Sequence, residues 1–127
     1  MIVVDASAAV AALLNDDAAR RALSGEQLHA PHLVDTDVVS ALRRRVAREQ
    51  LSRTHAQGAL AVWQRLAVTR YAGADVLSRV WELRQNVSAY DATYVALAES
   101  LECALVTADG RLGRATGVRC VVTVLPG

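Results

Sequence analysis

Short apolar runs that alternate with helical segments constrain the fold of this 127-residue chain more than any other feature. The runs that we predict as strands cover 2–5, 28–30, 68–71, 104–107 and 119–124. Short apolar strands separated by helices favour a parallel sheet that is covered on both faces. We therefore predict an α/β fold, in which ligands bind beyond the carboxyl ends of the strands.

Helical patterns fill the intervals between these strands. The predicted helices cover 6–15, 16–24, 31–48, 54–67, 74–85 and 88–102, and a short helix or turn follows at 109–116. Pro31 is well placed to open the third helix, because proline is favoured in the first turn. No Gly/Ser-rich linker or internal repeat divides the sequence, so residues 1–127 are predicted to form one domain.

The composition and the length of the apolar runs indicate the cellular compartment in which the protein is expected. Apolar residues make up 53% of the chain, which fits a compact soluble protein. No apolar run approaches the roughly 18–20 residues that cross a bilayer, and no basic segment precedes the first apolar run. We expect a cytoplasmic protein without membrane contact.

Two acidic residues come just after predicted strands. Asp5 ends the run MIVVD, and Asp109 follows the run ALVT within the segment VTADGRL. Each has an ordinary structural explanation, because aspartate caps helix N-termini and Asp-Gly pairs favour turns. The carboxyl ends of parallel strands meet at one edge of a sheet, however, so both side chains are candidates for a common site.

Three further acidic residues lie on predicted helices. Asp91 matches a capping box with Ser88, but it also shares a helical stripe with apolar residues, where an unpaired carboxylate is costly. Asp35 and Asp37 flank the predicted buried stripe of their helix on opposite sides, so periodicity does not choose between them. Either also fits as an acid favoured by the helix dipole.

Carboxylates gathered at one sheet edge predict a cation site. Close pairs repel by on the order of 4 kcal/mol at an effective dielectric constant of 20, and divalent cations relieve that repulsion. Ligation by oxygen alone suits Mg²⁺ or Mn²⁺ rather than zinc. Such a site activates water for in-line attack on a phosphodiester.

With these acids in place, the chain resembles a known family. The ordered set MIVVDASAAVAALL, P-x-L-x₃-D-V-x-S-A-L-R-R, Y-D-A-T-Y-V-A-L-A-E and L-V-T-A-D-G-R-L resembles the PIN domain, and more narrowly the VapC-type toxins of bacterial toxin–antitoxin pairs. The resemblance covers essentially the whole chain. It implies a PIN-like three-layer α/β/α sandwich with a five-stranded parallel sheet, and an endoribonuclease that depends on Mg²⁺, for which Mn²⁺ can substitute.

The resemblance also implies residue roles. Asp5 and Asp91 match the first and third acids of the family, and Asp109 matches the acid after the fourth strand. Asp37 aligns with the second acid, because V-V-S-A-L follows it, but the family usually has the longer glutamate there. Asp35 is the alternative if the helix register differs. The four matched aspartates are thus implied to be metal ligands and catalytic residues.

Two hydroxyls and a set of arginines complete the implied site. Ser7 and Thr107 stand at family positions whose hydroxyls can orient an acid or a metal-bound water. Without the four acids, the net charge of +1 becomes +5, and basic side chains near the acids suit phosphate contacts. The candidate RNA contacts are Arg43, Arg44, Arg45, Arg48, Arg111 and Arg114. For the first four, a solvated helix end favoured by the dipole is the structural alternative.

The family resemblance further implies an RNA substrate, a cognate antitoxin and a homodimer. The predicted helices 6–15 and 54–67 carry apolar surface that suits either protein contact. His29, His32 and His55 show no ligand-like spacing and are interpreted as surface or interface residues.

The absence of lysine argues against two other functions. All 14 basic residues are arginine, whereas phospho-acceptor signalling domains and DxD phosphatases rely on a lysine. Asp5-Ala6-Ser7 also lacks the second aspartate of the DxD motif. The remaining alternative is a catalytically degenerate PIN module that acts as an RNA- or protein-binding scaffold. Metal-dependent nuclease activity separates it from the enzyme.

Overall fold

Five parallel strands form one sheet in the order β3-β2-β1-β4-β5. The computed structural model describes residues 1–126. Its strands are β1 (Ile2–Val4), β2 (Leu28–Pro31), β3 (Val68–Tyr71), β4 (Ala104–Thr107) and β5 (Val122–Val124). All residues of the central strand β1 are buried, as expected where helices cover both faces of a sheet.

Seven α-helices flank this sheet in the described part of the chain. They are α1 (Ala6–Leu13), α2 (Asp17–Leu23), α3 (Leu33–Ala47), α4 (Arg53–Arg65), α5 (Leu77–Glu82), α6 (Ala89–Leu101) and α7 (Gly110–Gly113). Helices α1 to α4 pack against one another, whereas α6 packs on α5 and on β1, β2 and β4. The predicted three-layer α/β/α sandwich is confirmed.

Three predicted element boundaries are wrong. Pro31 is the last residue of β2 and not the first of α3; it lies beyond the residues of β2 that pair with β1, where a missing N–H is tolerated. The predicted helix 74–85 is a 3₁₀ turn at Gly73–Val76 followed by the short α5. The last strand is confined to β5.

Burial corrects the interpretation of His29 as a surface or interface residue. This side chain is only 9% exposed within β2, and its Nδ1 lies 2.7 Å from the hydroxyl of Tyr71. Among residues 1–126, no helix is long and apolar enough to cross a bilayer.

The strand order creates a switch point beside β1. The chain adds β2 and β3 on one side of β1, then returns to add β4 and β5 on the other. Crevices in open parallel sheets lie at the carboxyl ends of the strands where the order reverses, here between β1 and β4. Helix α3 starts just after β2, and α6 runs back towards the start of β4, so both helices begin at this edge.

Candidate functional site

Asp5 lies at the switch point as the N-cap of α1. Its Oδ1 accepts hydrogen bonds from the Ala8 N–H at 3.0 Å and the Ser7 hydroxyl at 2.6 Å, and its Oδ2 accepts one from Thr107. The residue is only 6% exposed. Burial raises the pKa of Asp5 despite these hydrogen bonds, and the charge of Asp109 raises it further. The capping role and a place in the site therefore coexist.

The hydroxyls of Ser7 and Thr107 join the ends of β1 and β4. They lie 3.2 Å apart, and each also binds the backbone after β4. Ser7 Oγ accepts from the Ala108 N–H at 2.9 Å, and Thr107 Oγ1 accepts from the Asp109 N–H at 3.0 Å. Both hydroxyls therefore orient an acid of the site, and their contact with a metal-bound water stays a prediction.

Asp91 reaches the same place from the first turn of α6. Ser88 caps this helix by accepting a hydrogen bond from the Asp91 N–H at 3.1 Å. The pKa of Asp91 is raised, first by burial and then by the charges of Asp5 and Asp109. These effects show that the three carboxylates share one electrostatic environment.

Asp109 is the acid of the site that is paired with a positively charged side chain. It caps the short α7, and its carboxylate forms a bidentate pair with Arg111, whose Nη2 lies 2.9 Å from Oδ2 and whose Nε lies 3.1 Å from Oδ1. These hydrogen bonds lower the pKa of Asp109. Arg111 itself is highly exposed, with 85% of its side chain accessible.

The structure places Asp35 and Asp37 in different surroundings. Asp35 accepts hydrogen bonds from Trp63 Nε1 at 2.8 Å and from Arg70 Nε at 2.7 Å, away from the switch point. Asp37 lines the same groove as the other acids, and its Oδ2 accepts a hydrogen bond from the Tyr94 hydroxyl at 2.8 Å. Asp37 therefore lies with the site and Asp35 outside it, while the role of Asp37 as a ligand stays a prediction.

All four predicted acids line one groove of about 860 Å³, which we call the acidic groove. One wall comes from α3 and its C-terminal extension, where Arg44, Arg45 and Arg48 lie. Three of the predicted RNA contacts, Arg43, Arg111 and Arg114, do not line the groove, although Arg111 is bound to Asp109. The groove is thus lined by four acidic and three basic side chains.

Two tyrosines of the groove were not predicted as site residues. Tyr94 is buried and binds Asp37, whereas Tyr90 is 68% exposed at the groove surface. The motif Y-D-A-T-Y held a signal for Tyr94, because a residue three positions after Asp91 shares its helix face. Tyr90 directly precedes Asp91, so only the structure shows that it lines the groove.

The donor set fits a hard divalent cation, although the carboxylates are not drawn together. Among residues 1–126, no three acidic, histidine or cysteine side chains cluster closely enough to define a metal site by themselves. Asp37 instead accepts a hydrogen bond from Tyr94, and Asp109 accepts one from Arg111. Oxygen ligands are those that Mg²⁺ and Mn²⁺ prefer. Burial is the main cause of the raised pKa of Asp91, and a cation would relieve the repulsion from Asp5 and Asp109 that raises it further.

The sequence matches the family model for the PIN domain over residues 2–118. Ribonuclease VapC9 of Mycobacterium tuberculosis is 56% identical over 126 residues, which cover 99% of both chains. Ribonuclease VapC1 of the same organism is 41% identical over 97% of this chain and 96% of its own. The crystal structure of M. tuberculosis VapC20, described as a sarcin-ricin loop cleaving toxin, has a TM-score of 0.69 at 22% identity and covers 99% of this chain and 100% of its own. At that identity the last likeness concerns the fold.

Proposed function

This chain belongs to the PIN domain family, and within it to the VapC group, and from that membership we propose that it is a metal-dependent endoribonuclease, the toxin of a toxin–antitoxin pair. One observation carries the proposal: Asp5, Asp37, Asp91 and Asp109 line a single groove at the switch point of the sheet. The reaction is hydrolysis of phosphodiester bonds in RNA.

The four aspartates would hold Mg²⁺, for which Mn²⁺ can substitute. When bound, the cation supplies an acidified water and neutralises charge on the scissile phosphate. Asp5 is held in one orientation by Ser7, Thr107 and the start of α1, so its carboxylate is fixed before a ligand arrives. The hydrogen bond from Tyr94 occupies only Oδ2 of Asp37, so Oδ1 would be available as a ligand while the hydrogen bond is kept.

The arginine wall would hold the RNA backbone. Arg44, Arg45 and Arg48 are exposed on the side of the acidic groove, and arginine binds phosphate with two parallel hydrogen bonds. Phosphate contacts position a nucleic acid without reading its sequence. We therefore expect them to contribute salt-dependent affinity rather than the choice of cleavage site.

The test is cleavage of total cellular RNA by the purified protein, freed of any antitoxin, in Mg²⁺, Mn²⁺ or EDTA. Discrete cuts that need the metal and are absent with Asp5→Asn are the expected result. Asp16→Asn is the matched control, because Asp16 caps α2 as Asp5 caps α1 but lies outside the acidic groove.

Two outcomes would contradict the proposal. Equal cleavage by the Asp5→Asn protein would assign the activity to a contaminant. A folded wild-type protein without metal-dependent cleavage would favour the RNA- or protein-binding scaffold.

Family membership also leads us to propose a cognate antitoxin and a homodimer. An apolar groove of about 540 Å³ lies between α1, α2 and α4. Protein partners would cover such surfaces. Light scattering of the purified chain tests the dimer, and relief of growth arrest by the product of an adjacent gene tests the antitoxin.

A further inference from the structure

Tyr90 is an aromatic side chain that the fold leaves unpacked at the acidic groove. It is 68% exposed, whereas every residue from Ala92 to Ala98 on the same helix is buried. It directly precedes Asp91 in the chain and lines the groove together with Asp5 and Asp109. An exposed aromatic ring beside a phosphate-cleaving site is well suited to hold a nucleobase.

Three arginines of the same groove supply the complementary chemistry. Arg44, Arg45 and Arg48 project from α3 and its C-terminal extension, and Arg44 donates a hydrogen bond to Ser40 Oγ at 2.9 Å. Proteins that bind single-stranded nucleic acid combine a basic track for the backbone with aromatic rings for the bases. The groove contains both, together with the four acids.

We propose that Tyr90 stacks on an unpaired base next to the scissile phosphate, and so selects RNA whose bases are free to leave a helix. The proposal rests on the ribonuclease function proposed above. Bases inside a duplex are stacked on one another and cannot place a face on the ring of Tyr90. Stacking on one aromatic side chain typically changes affinity by about tenfold.

The structure offers a matched control for this role. Trp81 is also 68% exposed, but it lies on α5 beside Leu77 and Val80, on a surface separate from the acidic groove. Removal of either ring exposes no core. A loss specific to Tyr90 would therefore reflect its place in the groove and not a general effect of an exposed aromatic residue.

The experiment measures binding of a single-stranded RNA oligonucleotide that carries 2-aminopurine, whose fluorescence falls when the base stacks. Ca²⁺ replaces Mg²⁺ to neutralise the carboxylates, and gels confirm that the probe stays intact. We expect Tyr90→Ala to weaken binding about tenfold and to abolish the quenching on binding. Tyr90→Phe and Trp81→Ala should behave as wild type, and a duplex of the same sequence should bind all four proteins equally.

The contrary results are distinct. The proposal is overturned if Tyr90→Ala binds and quenches as wild type does, if Tyr90→Phe is as weak as Tyr90→Ala, or if the wild type binds no single-stranded probe. In Mg²⁺, Tyr90→Ala should raise KM more than it lowers kcat, and an effect on kcat alone would also contradict stacking. A wild type that binds and quenches the probe but never cleaves RNA would refute the ribonuclease and leave the role of Tyr90 in base binding supported.

Discussion

Asp35 and Asp37 are two residues apart, yet their carboxylates serve different parts of the molecule. Asp35 joins α3 to Trp63 of α4 and to Arg70 of β3. We expect Asp35→Asn to lower the free energy of unfolding by about 1 kcal/mol, since a hydrogen-bonded ion pair that is partly exposed contributes on that scale. Asp37→Asn should leave stability nearly unchanged and remove RNA cleavage. Urea denaturation measures the stability of both variants, and an assay with the same RNA measures their cleavage.

The difference in stability between wild type and Asp35→Asn should depend on pH, because of the pKa of Asp35. Hydrogen bonds from Arg70 hold the pKa of Asp35 below its ordinary value. A lowered pKa in the folded state stabilises the fold above the unfolded pKa, and the gain is lost as the pH falls. The stability gap between wild type and Asp35→Asn should therefore narrow below about pH 4. A gap that is constant with pH, or loss of cleavage by Asp35→Asn, would contradict this assignment.

The pKa of Asp91 is shifted in the direction opposite to that of Asp35. Its pKa is raised above 3.8 in the folded protein, so ionisation of its carboxylate lowers stability as the pH rises through the folded pKa. We expect Asp91→Asn to melt above wild type at pH 7 in EDTA, with the advantage vanishing below the unfolded pKa. Thermal melts at several pH values measure it. A lower melting temperature for Asp91→Asn at pH 7 would show that the carboxylate stabilises the fold.

At the scale of elements, the start of α6 connects stability to the site. Ser88 caps the turn that carries Tyr90 and Asp91, and removal of a serine N-cap costs about 0.5–2 kcal/mol. Ser52 caps α4 in the same way, by accepting a hydrogen bond from the His55 N–H at 3.0 Å, but it lies outside the acidic groove.

We expect Ser88→Ala and Ser52→Ala to lose similar stability, whereas only Ser88→Ala should weaken Mg²⁺ binding, because it loosens the turn that holds Asp91. Chemical denaturation and metal titration by calorimetry separate the two effects. Equal metal affinities in the two variants would mean that the turn stays in place without its cap.

The elements also show what the sequence could and could not predict. Strand-end acids were predictable because the carboxyl ends of parallel strands must share an edge, and Asp5 and Asp109 do so. The choice between Asp35 and Asp37 was beyond periodicity, since both flank the buried stripe. It depends on Tyr94, which is 57 positions from Asp37, and on Arg70, which is 35 positions from Asp35. The end of the strand at Pro31 likewise depends on pairing with Tyr71 and not on local propensity.

At the scale of the whole molecule, a bound cation should raise the free energy of unfolding. A ligand that binds only the folded state at a hundred times its Kd adds about 2.7 kcal/mol. We therefore expect Mg²⁺ or Mn²⁺ to raise the melting temperature of the wild type, and EDTA to reverse the rise. Asp91→Asn should show a much smaller rise, since it lacks one carboxylate of the site. An equal rise in both proteins would indicate cations bound elsewhere.

The position of β1 in the sheet also determines when its two neighbouring strands can pair with it during synthesis of the chain. Asp5 is synthesised before its hydrogen-bond partner Thr107, which follows 102 positions later in the chain. Until β4 arrives, one side of β1 has no neighbouring strand, and contacts of such long sequence separation form late. A nascent chain that has not yet reached β4 therefore contains Asp5 without the neighbouring strand and hydroxyl that hold it, and the acidic groove can form only after β4 has been synthesised.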